Sequence, residues 1–591
     1  MNHSHIVITG EGIVCAMGCN REEVTESLRH QRSGVGTMRF LQSAHQELPV
    51  GEVPMSNDEM KRRLHIAPKQ TVSRTALMAM MAVEEALNDA GLHQADGLRV
   101  LLVSGTTVAG MDITENHYND LASGGDASCL LQHDCGASSQ LVKQHFDLFS
   151  DVTTISTACS SAANAILFGS LLLRFGKADV IVAGGSEALS RFHLNGFNSL
   201  LILDHNRCRP FDESRAGLNL GEGAAYVVMM REDTAARLQK PIHAYLTGWG
   251  NACDAFHQTA TSPEGEGPYL AMTEALTQAG LSARDIDYVH AHGTGTPNND
   301  ATESRALQRV FGSELPPVSS TKALTGHATS AIGGIEAVIC LIAMHEDEGL
   351  IPGNLGFTHP FEGGIQPVAV NRPANLRHVM MNSFGFGGND TTLIFSKEAT
   401  APEFSENSKL IPKAVLSQQS ELSDESELSE LKEWMKPMTT RRMSRVMKAA
   451  LLTSIRTLKA AGITTPDAII TATTYGCIDH SLQLLKSMAE QGEDAVSPTL
   501  FMQSTHNTIS SAVAIQTHCQ GFNLTFSQGA ESKDWALLAA RMLIASGRCR
   551  NVLVGIHDES TPLLRDALQR LGKEPPKDIH SESILLTCGK S

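Results

Sequence analysis

The sequence predicts an α/β protein with more than one domain, and three observations carry this. Strand-like and helix-like segments alternate through the first two thirds of the chain, the pattern of sheets covered by helices. The chain has 591 residues, more than one hydrophobic core usually fills. Apolar residues make up 42% of it, ordinary for a globular protein.

The elements follow in order. Apolar, β-branched runs predict strands at 6–9, 100–104, 153–156, 180–183, 224–230, 288–290 and 392–395. Helical periodicity predicts helices at 73–90, 160–175, 269–279 and 335–347. After Phe395 the composition changes. Residues 397–430 are rich in Ser, Glu, Gln and Pro and poor in large apolar side chains. They read as a surface linker, partly disordered or weakly helical. Globular composition returns from Trp434. The organisation expected is a first unit at 1–398, a linker at 399–431 and a last unit at 432–591.

The last unit repeats the first. Ser73, Arg74, Leu87, Ala90 and Gly91 match Ser444, Arg445, Leu458, Ala461 and Gly462, an offset of 445 − 74 = 371. At the same offset Ser156 falls on Ser527 and Gly176 on Gly547; one residue later, Val180, Val182 and Glu187 fall on Val552, Val554 and Glu559. The order of elements, held over more than a hundred residues, argues for duplication.

The formal net charge of −17 argues against non-specific nucleic-acid binding. It leaves room for an acidic carrier partner, which needs only a local basic patch. The 12 cysteines have no metal-like spacing and read mostly as small buried residues in a reducing compartment. No apolar run approaches the roughly 20 residues that cross a bilayer. Met1 leads directly into a strand, without a signal peptide. A cytoplasmic protein is expected.

The residues that promise chemistry begin at Ser156-Thr157-Ala158-Cys159-Ser160-Ser161. A strand precedes Cys159 and a helix follows it, ended by Gly176. A cysteine at a helix start meets free N–H groups and the positive dipole end, which favour a thiolate able to accept an acyl group. Downstream stands Val289-His290-Ala291-His292-Gly293-Thr294-Gly295-Thr296-Pro297. Its glycines permit close backbone approach to a ligand, and its threonines offer hydroxyls. Then come Lys322-Ala323-Leu324-Thr325-Gly326-His327, a helix with Glu336, and an apolar glycine loop, Asn382-Ser383-Phe384-Gly385-Phe386-Gly387-Gly388-Asn389-Asp390.

Together, and in this order, these motifs resemble the β-ketoacyl-[acyl-carrier-protein] synthases of the thiolase fold, nearest the elongating types I and II. The resemblance spans 1 to about 398 and includes Arg209-Pro210-Phe211-Asp212 and Gly221-Glu222-Gly223-Ala224. It implies a five-layered αβαβα fold of two similar halves, with an appended α/β half-domain of the same kind, and a homodimer. It implies a catalytic set of Cys159, His292 and His327, with backbone N–H groups of Cys159 and Phe386 as the oxyanion hole. Lys322 and Glu336 would order the histidine loop, or form a structural ion pair. Thr294 and Thr296 would hold the pantetheine arm. Phe386 would gate the acyl entrance, and Val108 and Phe197 would line the acyl pocket.

The reaction implied is decarboxylative Claisen condensation of an acyl-cysteine with a malonyl carrier protein, in fatty acid, polyene or polyketide-type biosynthesis. It needs no metal and no nicotinamide; the substrates ride on the phosphopantetheine of acyl carrier protein. Two departures stand out: Asn389-Asp390 where the family usually has Thr-Asn, and Ser161-Ala162 where many relatives place a glycine. They lean toward specialised polyene or polyketide pathways.

Three other readings compete with this one. A thiolase would carry a second cysteine in the late glycine loop, and 382–390 has none. A type III starter synthase would show asparagine in place of His327. A non-catalytic chain-length factor or scaffold suits the last unit better than the first: at the offset of 371, Cys159 falls on Ala530, and the copy stops before any counterpart of the histidine motifs. The last unit is thus expected to be inert and separable, with Cys159 still acylated when 432–591 are deleted.

Overall fold

The computed structural model describes residues 5–258, 260–345, 349–400 and 413–589. Two helices are buried along nearly their whole length, Ser161–Arg174 and Ile332–His345. A helix apolar on every side belongs in the middle of a fold, and these two lie against each other between two stretches of one long mixed sheet, which meet where Ile6–Cys15 pairs with Ala244–Cys253. In one stretch are Ile6–Cys15, Val100–Gly105, Asp151–Ile155, Val180–Glu187 and Gly223–Arg231; in the other are Ala244–Cys253, Tyr288–His290, Val318–Ser319, His378–Gly385 and Asn389–Ser396. Helix Arg74–Asp89 covers the outer face of the first stretch, and Glu266–Ala279 that of the second. These are the five layers expected. Ser73 caps its helix by accepting the N–H of Ala76, as a serine at that position should.

All seven predicted strands are present, most of them longer than their apolar runs: 6–9 extends to Cys15. Predicted helix 335–347 begins at Ile332 and ends at His345; its last two residues lie outside the described ones. The linker reading needs correction. Residues 401–412 lie outside the described residues, but Ala414–Glu421 is a strand paired antiparallel with Ile579–Cys588. Beyond it, Glu425–Glu433 forms a 3-10 helix that buries Leu431. The polar composition fits an edge strand and its surface connection, so the second unit begins near residue 414.

That second unit joins the first through a single sheet. Among the described residues its strands run, from the junction outward, Phe522–Phe526, Ala468–Ala472, Asn551–Glu559, Ile579–Cys588 and Ala414–Glu421, and Phe522–Phe526 lies antiparallel beside Asp151–Ile155. Ser156 N–H donates to Thr525 O at 2.9 Å, and Ser527 N–H donates to Thr154 O at 2.9 Å. Both bonds relate residues by the repeat offset, 527 − 156 = 525 − 154 = 371, so the two copies face each other about a local pseudo-twofold axis. Cys135 meets His506, again 371 residues on, with Sγ 3.9 Å from each ring nitrogen.

The hydrophobic core crosses this junction: Phe168 packs edge-on against Phe526, ring centres 5.0 Å apart, and against Trp535 at 6.2 Å. The last unit is therefore no separable appendage. The expected shift of register also changes. The carboxylate that accepts from Thr106 Oγ1 and Thr107 N in the first copy is Glu187; Asp558, and not Glu559, accepts from Thr473 Oγ1 and Thr474 N in the second. The offset of 371 holds to the end of that strand.

Candidate active site

The strand Asp151–Ile155 delivers the chain to a tight turn, Ala158–Ser160, from which helix Ser161–Arg174 starts. Ala158 takes φ +52, a left-handed conformation that costs an alanine about 1–2 kcal/mol. Ser161 holds the turn: its Oγ accepts the N–H of Thr157 at 2.9 Å and donates to Ala158 O at 2.7 Å. Cys159, 5% exposed, is thereby lifted to the top of the turn. Its sulfur lies 3.1 Å from His327 Nε2. The rings of His327 and His292 sit 5.4 Å apart at 80°. Cysteine and both histidines, from widely separated motifs, do converge.

Neighbouring groups hold the histidine loop. Glu303 accepts the backbone N–H groups of His292 and Gly293, both at 2.8 Å. Lys322 Nζ donates to the backbone carbonyl of His292, pairs with Glu336 Oε1 at 2.6 Å and lies 3.5 Å from His292 Nδ1. Lys322 and Glu336 thus form an ion pair that also orders the loop, joining two roles the sequence left as alternatives.

Electrostatics correct one expectation. Burial pushes the Cys159 thiol up to about 12, against the Lys322 cation and the backbone N–H of Phe386, which lower it. Desolvation of the charged form outweighs the helix start, so the resting group is a thiol and no thiolate. Burial, the Lys322 cation and each other's proximity hold His292 well below the usual histidine range; burial and Lys322 do the same to His327. Both imidazoles are neutral at pH 7. Burial raises Glu336 to about 7 and Glu303 to about 7, each opposed in part by Lys322.

Thr294 and Thr296 stand side by side on the glycine loop, hydroxyls 2.9 Å apart. Phe386 stacks on Phe197 with ring centres 5.7 Å apart at 24°. Val108 lines a cleft between the units with Thr107, Met111 and Phe192, faced by Tyr475 and His506. At the departure from the family loop, Asn389 Oδ1 accepts from Ser160 Oγ and Asn164 Nδ2, both at 2.8 Å. Asp390 is fully buried with neither carboxylate oxygen hydrogen-bonded. Burial and the nearby Asp254 and Glu303 carboxylates keep it well above the usual range, hence neutral.

Sequence reasoning missed what the second unit brings here. Asn507 Nδ2 donates to Phe386 O at 2.8 Å and Ser511 Oγ to Gly387 O at 2.9 Å. Phe501 meets Phe197 edge-on at 5.2 Å and fills the space above Gly196, where a Cβ would lie 2.1 Å from its ring. No motif marks these residues; at the repeat offset they fall on Gly136 and Gln140 (507 − 371 and 511 − 371).

Comparison with known proteins agrees with this architecture. Residues 3–235 match the family model for the β-ketoacyl synthase N-terminal domain, 243–358 that for the C-terminal domain, and 415–571 a second N-terminal domain model. Nodulation protein E of Rhizobium meliloti (strain 1021) is 34% identical over 406 residues, 66% of this chain and 99% of that protein. 3-Oxoacyl-[acyl-carrier-protein] synthase 2 of Coxiella burnetii is 32% identical over 415 residues, 67% of this chain and 99% of that one. Among solved structures, the ishigamide ketosynthase/chain length factor superposes with TM-score 0.63 at 30% identity, over 67% of this chain and 99% of that one. The PfaC keto synthase-chain length factor shares the fold across 99% of this chain and 78% of its own, with TM-score 0.80 at 16% identity. A whole two-domain synthase followed by a second N-terminal domain, built around a buried Cys-His-His cluster, places this chain in the β-ketoacyl synthase family, among the acyltransferases.

Proposed function

We propose that Cys159, His292 and His327 carry the condensation, and that the acyl chains arrive on acyl carrier protein. The observation that carries this is the contact of Cys159 Sγ with His327 Nε2 at 3.1 Å inside a cluster of neutral imidazoles. Cys159 attacks the carrier thioester as its proton passes to His327. The pantetheine thiolate leaves and takes that proton, so acyl-Cys159 forms and His327 returns neutral. A malonyl carrier protein then binds. Lys322 donates toward His292 Nδ1, which leaves the Nε2 proton of that ring for the substrate. His292, and His327 once its ring proton has moved from Nδ1 to Nε2, donate to the malonyl thioester oxygen and stabilise its charge as carbon dioxide departs. The carbanion attacks the acyl carbonyl, a carbon–carbon bond forms, and the Cys159 sulfur is expelled as a thiolate that takes one proton from solvent, the proton the condensation consumes overall. The N–H groups of Cys159 and Phe386 hold the intermediate oxyanion.

Thr294 and Thr296 hold the pantetheine arm, Lys322 and Glu336 position the histidines, and Phe386, Val108 and Phe197 bound the acyl chain. The pseudo-twofold junction supports a self-contained pair of units within one chain in place of the homodimer expected from the resemblance. The Coxiella burnetii relative is named for substrates on acyl carrier protein, and one solved relative in fold is a ketosynthase held by its acyl-carrier protein. No helix among the described residues is long and apolar enough to cross a membrane.

The test is intact-mass and peptide mass spectrometry after incubation with acyl carrier proteins bearing a series of acyl chains. An acyl adduct on Cys159, absent in Cys159→Ala, is expected. No adduct with any chain overturns the reading and leaves the first unit a scaffold.

A further inference from the structure

The loop that closes over Cys159 is held by residues of the second unit, which carries Ala530 where the first carries Cys159. The loop turns from His378–Gly385 into Asn389–Ser396 through Gly387 at φ +84 and Gly388 at φ +71, conformations glycine adopts freely. Within it, the Phe386 N–H faces the Cys159 sulfur and the Gly387 N–H donates to Gln258 O at 2.7 Å. The carbonyls of Phe386 and Gly387 point the other way, across the junction, to Asn507 Nδ2 and Ser511 Oγ. The approach is close: a Cβ on Gly387 would lie 2.8 Å from Asn507 Nδ2 and 3.1 Å from Ser511 Cβ.

Both donors are buried, Asn507 1% and Ser511 2% exposed. Asn507 stands at the cap position of helix Thr508–Thr517, and its backbone carbonyl already accepts from Ser511 N and Ser510 Oγ. Its side chain caps no N–H of that helix; the amide is spent on the loop, and Oδ1 has no partner. A buried acceptor left unpaired costs about 1–3 kcal/mol. A purely structural asparagine has little reason to bear that cost. Phe501 adds a third contact, closing the Phe197–Phe386 stack from the same unit.

We propose that the second unit is the latch of the acyl gate: Asn507 and Ser511 hold the Phe386–Gly387 backbone closed over Cys159 and release it when an acyl chain enters. They are positioning residues, acting on the reaction through the Phe386 N–H and ring. This rests on the catalytic reading above. Two hydrogen bonds to one short loop suit such a device, since each contributes about 1 kcal/mol net. The latch is strong enough to set the resting state and weak enough to open within a turnover.

The experiment compares the full chain with Asn507→Leu and Ser511→Ala, singly and together. Asn507→Leu keeps the volume and removes the donor. The first readout is alkylation of Cys159 by iodoacetamide at pH 9, which needs no carrier protein; a released gate raises that rate about tenfold in the double variant, the equivalent of one to two net hydrogen bonds. The second is condensation kinetics: kcat falls about tenfold with little change in KM, because the loop must close again behind the chain for the Phe386 N–H to hold the oxyanion in the transition state. Ser511→Thr, which keeps the hydroxyl, restores both toward the parent. If the double variant is insoluble, Ser511→Ala, a loss of one atom, reads the same sign. Unchanged alkylation and kcat in folded variants overturn the latch and leave Cys159 catalysis standing. Failure of acylation in the unmodified chain overturns the catalytic reading while the alkylation result still judges the latch.

Discussion

Cys159 and Ala530 occupy the same turn, built twice. Thr157 and Gln528 have backbone angles of −126°, 45° and −127°, 43°. Ser161 accepts the N–H of Thr157 at 2.9 Å, and Ser532 accepts that of Gln528 at 2.7 Å. Each serine also donates to the carbonyl of the first residue of its turn, Ala158 or Gly529, at 2.7 Å in both. What differs is the surroundings. Cys159 is buried under the 244–396 half of the fold, whose loops supply His292, His327 and Phe386, whereas Ala530 is exposed, with no such half over it among the described residues. On the proposed reading of Cys159, a strand–turn–helix places a nucleophile and the other half of the fold makes it one.

The sharpest way to break this comparison is to exchange the two residues. Cys159→Ala is expected to abolish acylation and condensation. Ala530→Cys in that background restores the thiol on an equivalent turn and is expected to restore nothing. An acyl adduct at position 530, read by mass spectrometry with acyl carrier protein, would show that the turn alone suffices.

The pH dependence of alkylation separates the same two positions by about a thousandfold. Burial raises the resting Cys159 thiol to about 12, so its thiolate fraction grows about tenfold per pH unit through pH 9 and 10 without a plateau. An exposed cysteine at 530 ionises near 8.5, and its rate levels off above about pH 9. At pH 7.5 this leaves Cys159 about 10³-fold less ionised. A measured plateau for Cys159 below pH 8 would mean that the helix start and the Lys322 cation outweigh burial after all.

A third test bears on the junction. Phe526 stands where Ile155 stands in the first copy, and its ring packs on Phe168. Phe526→Ala is expected to cost about 3–5 kcal/mol, read as a fall in the urea midpoint of the whole chain. Were the units independent, Phe526→Ala would split the transition and leave the half carrying Cys159 at its original midpoint.

Much of this was legible in the sequence, and what was not has physical causes. Buried sheets write themselves as apolar runs, so 100–104 and 180–183 are found at sight; Ala244–Cys253, with Thr247, Gly248, Gly250 and Asn251 among its residues, hides its strand in close contacts with helix Glu266–Ala279. Cys159, His292 and His327 stand in local motifs because each needs a special backbone. Asn507 and Ser511 need none: a single donor on an ordinary helix gains its meaning only from the loop across the junction. That junction is itself a symmetric strand pairing, and periodicity within one segment carries no record of which edge it will meet. The edge strand Ala414–Glu421 was read as linker for a related reason: exposed on one side, it is polar enough to pass for loop.

The smallest expected effect concerns strain in the turn. Ala158 has φ +52 where Gly529 has φ +55. Only the copy that carries Cys159 uses a side chain where glycine would be free. A Cβ on Gly529 meets nothing within 4 Å, so Gly529→Ala isolates the backbone term, about 1–2 kcal/mol of lost stability. Ala158→Gly should return less than that, because glycine also loses more freedom on folding. If Ala158→Gly stabilises the chain while kcat falls, the strained alanine is part of how the sulfur is aimed, and the inert copy has relaxed because nothing there needs aiming. If stability rises and kcat is unchanged, the strain is incidental. The two turns then differ only in what surrounds them.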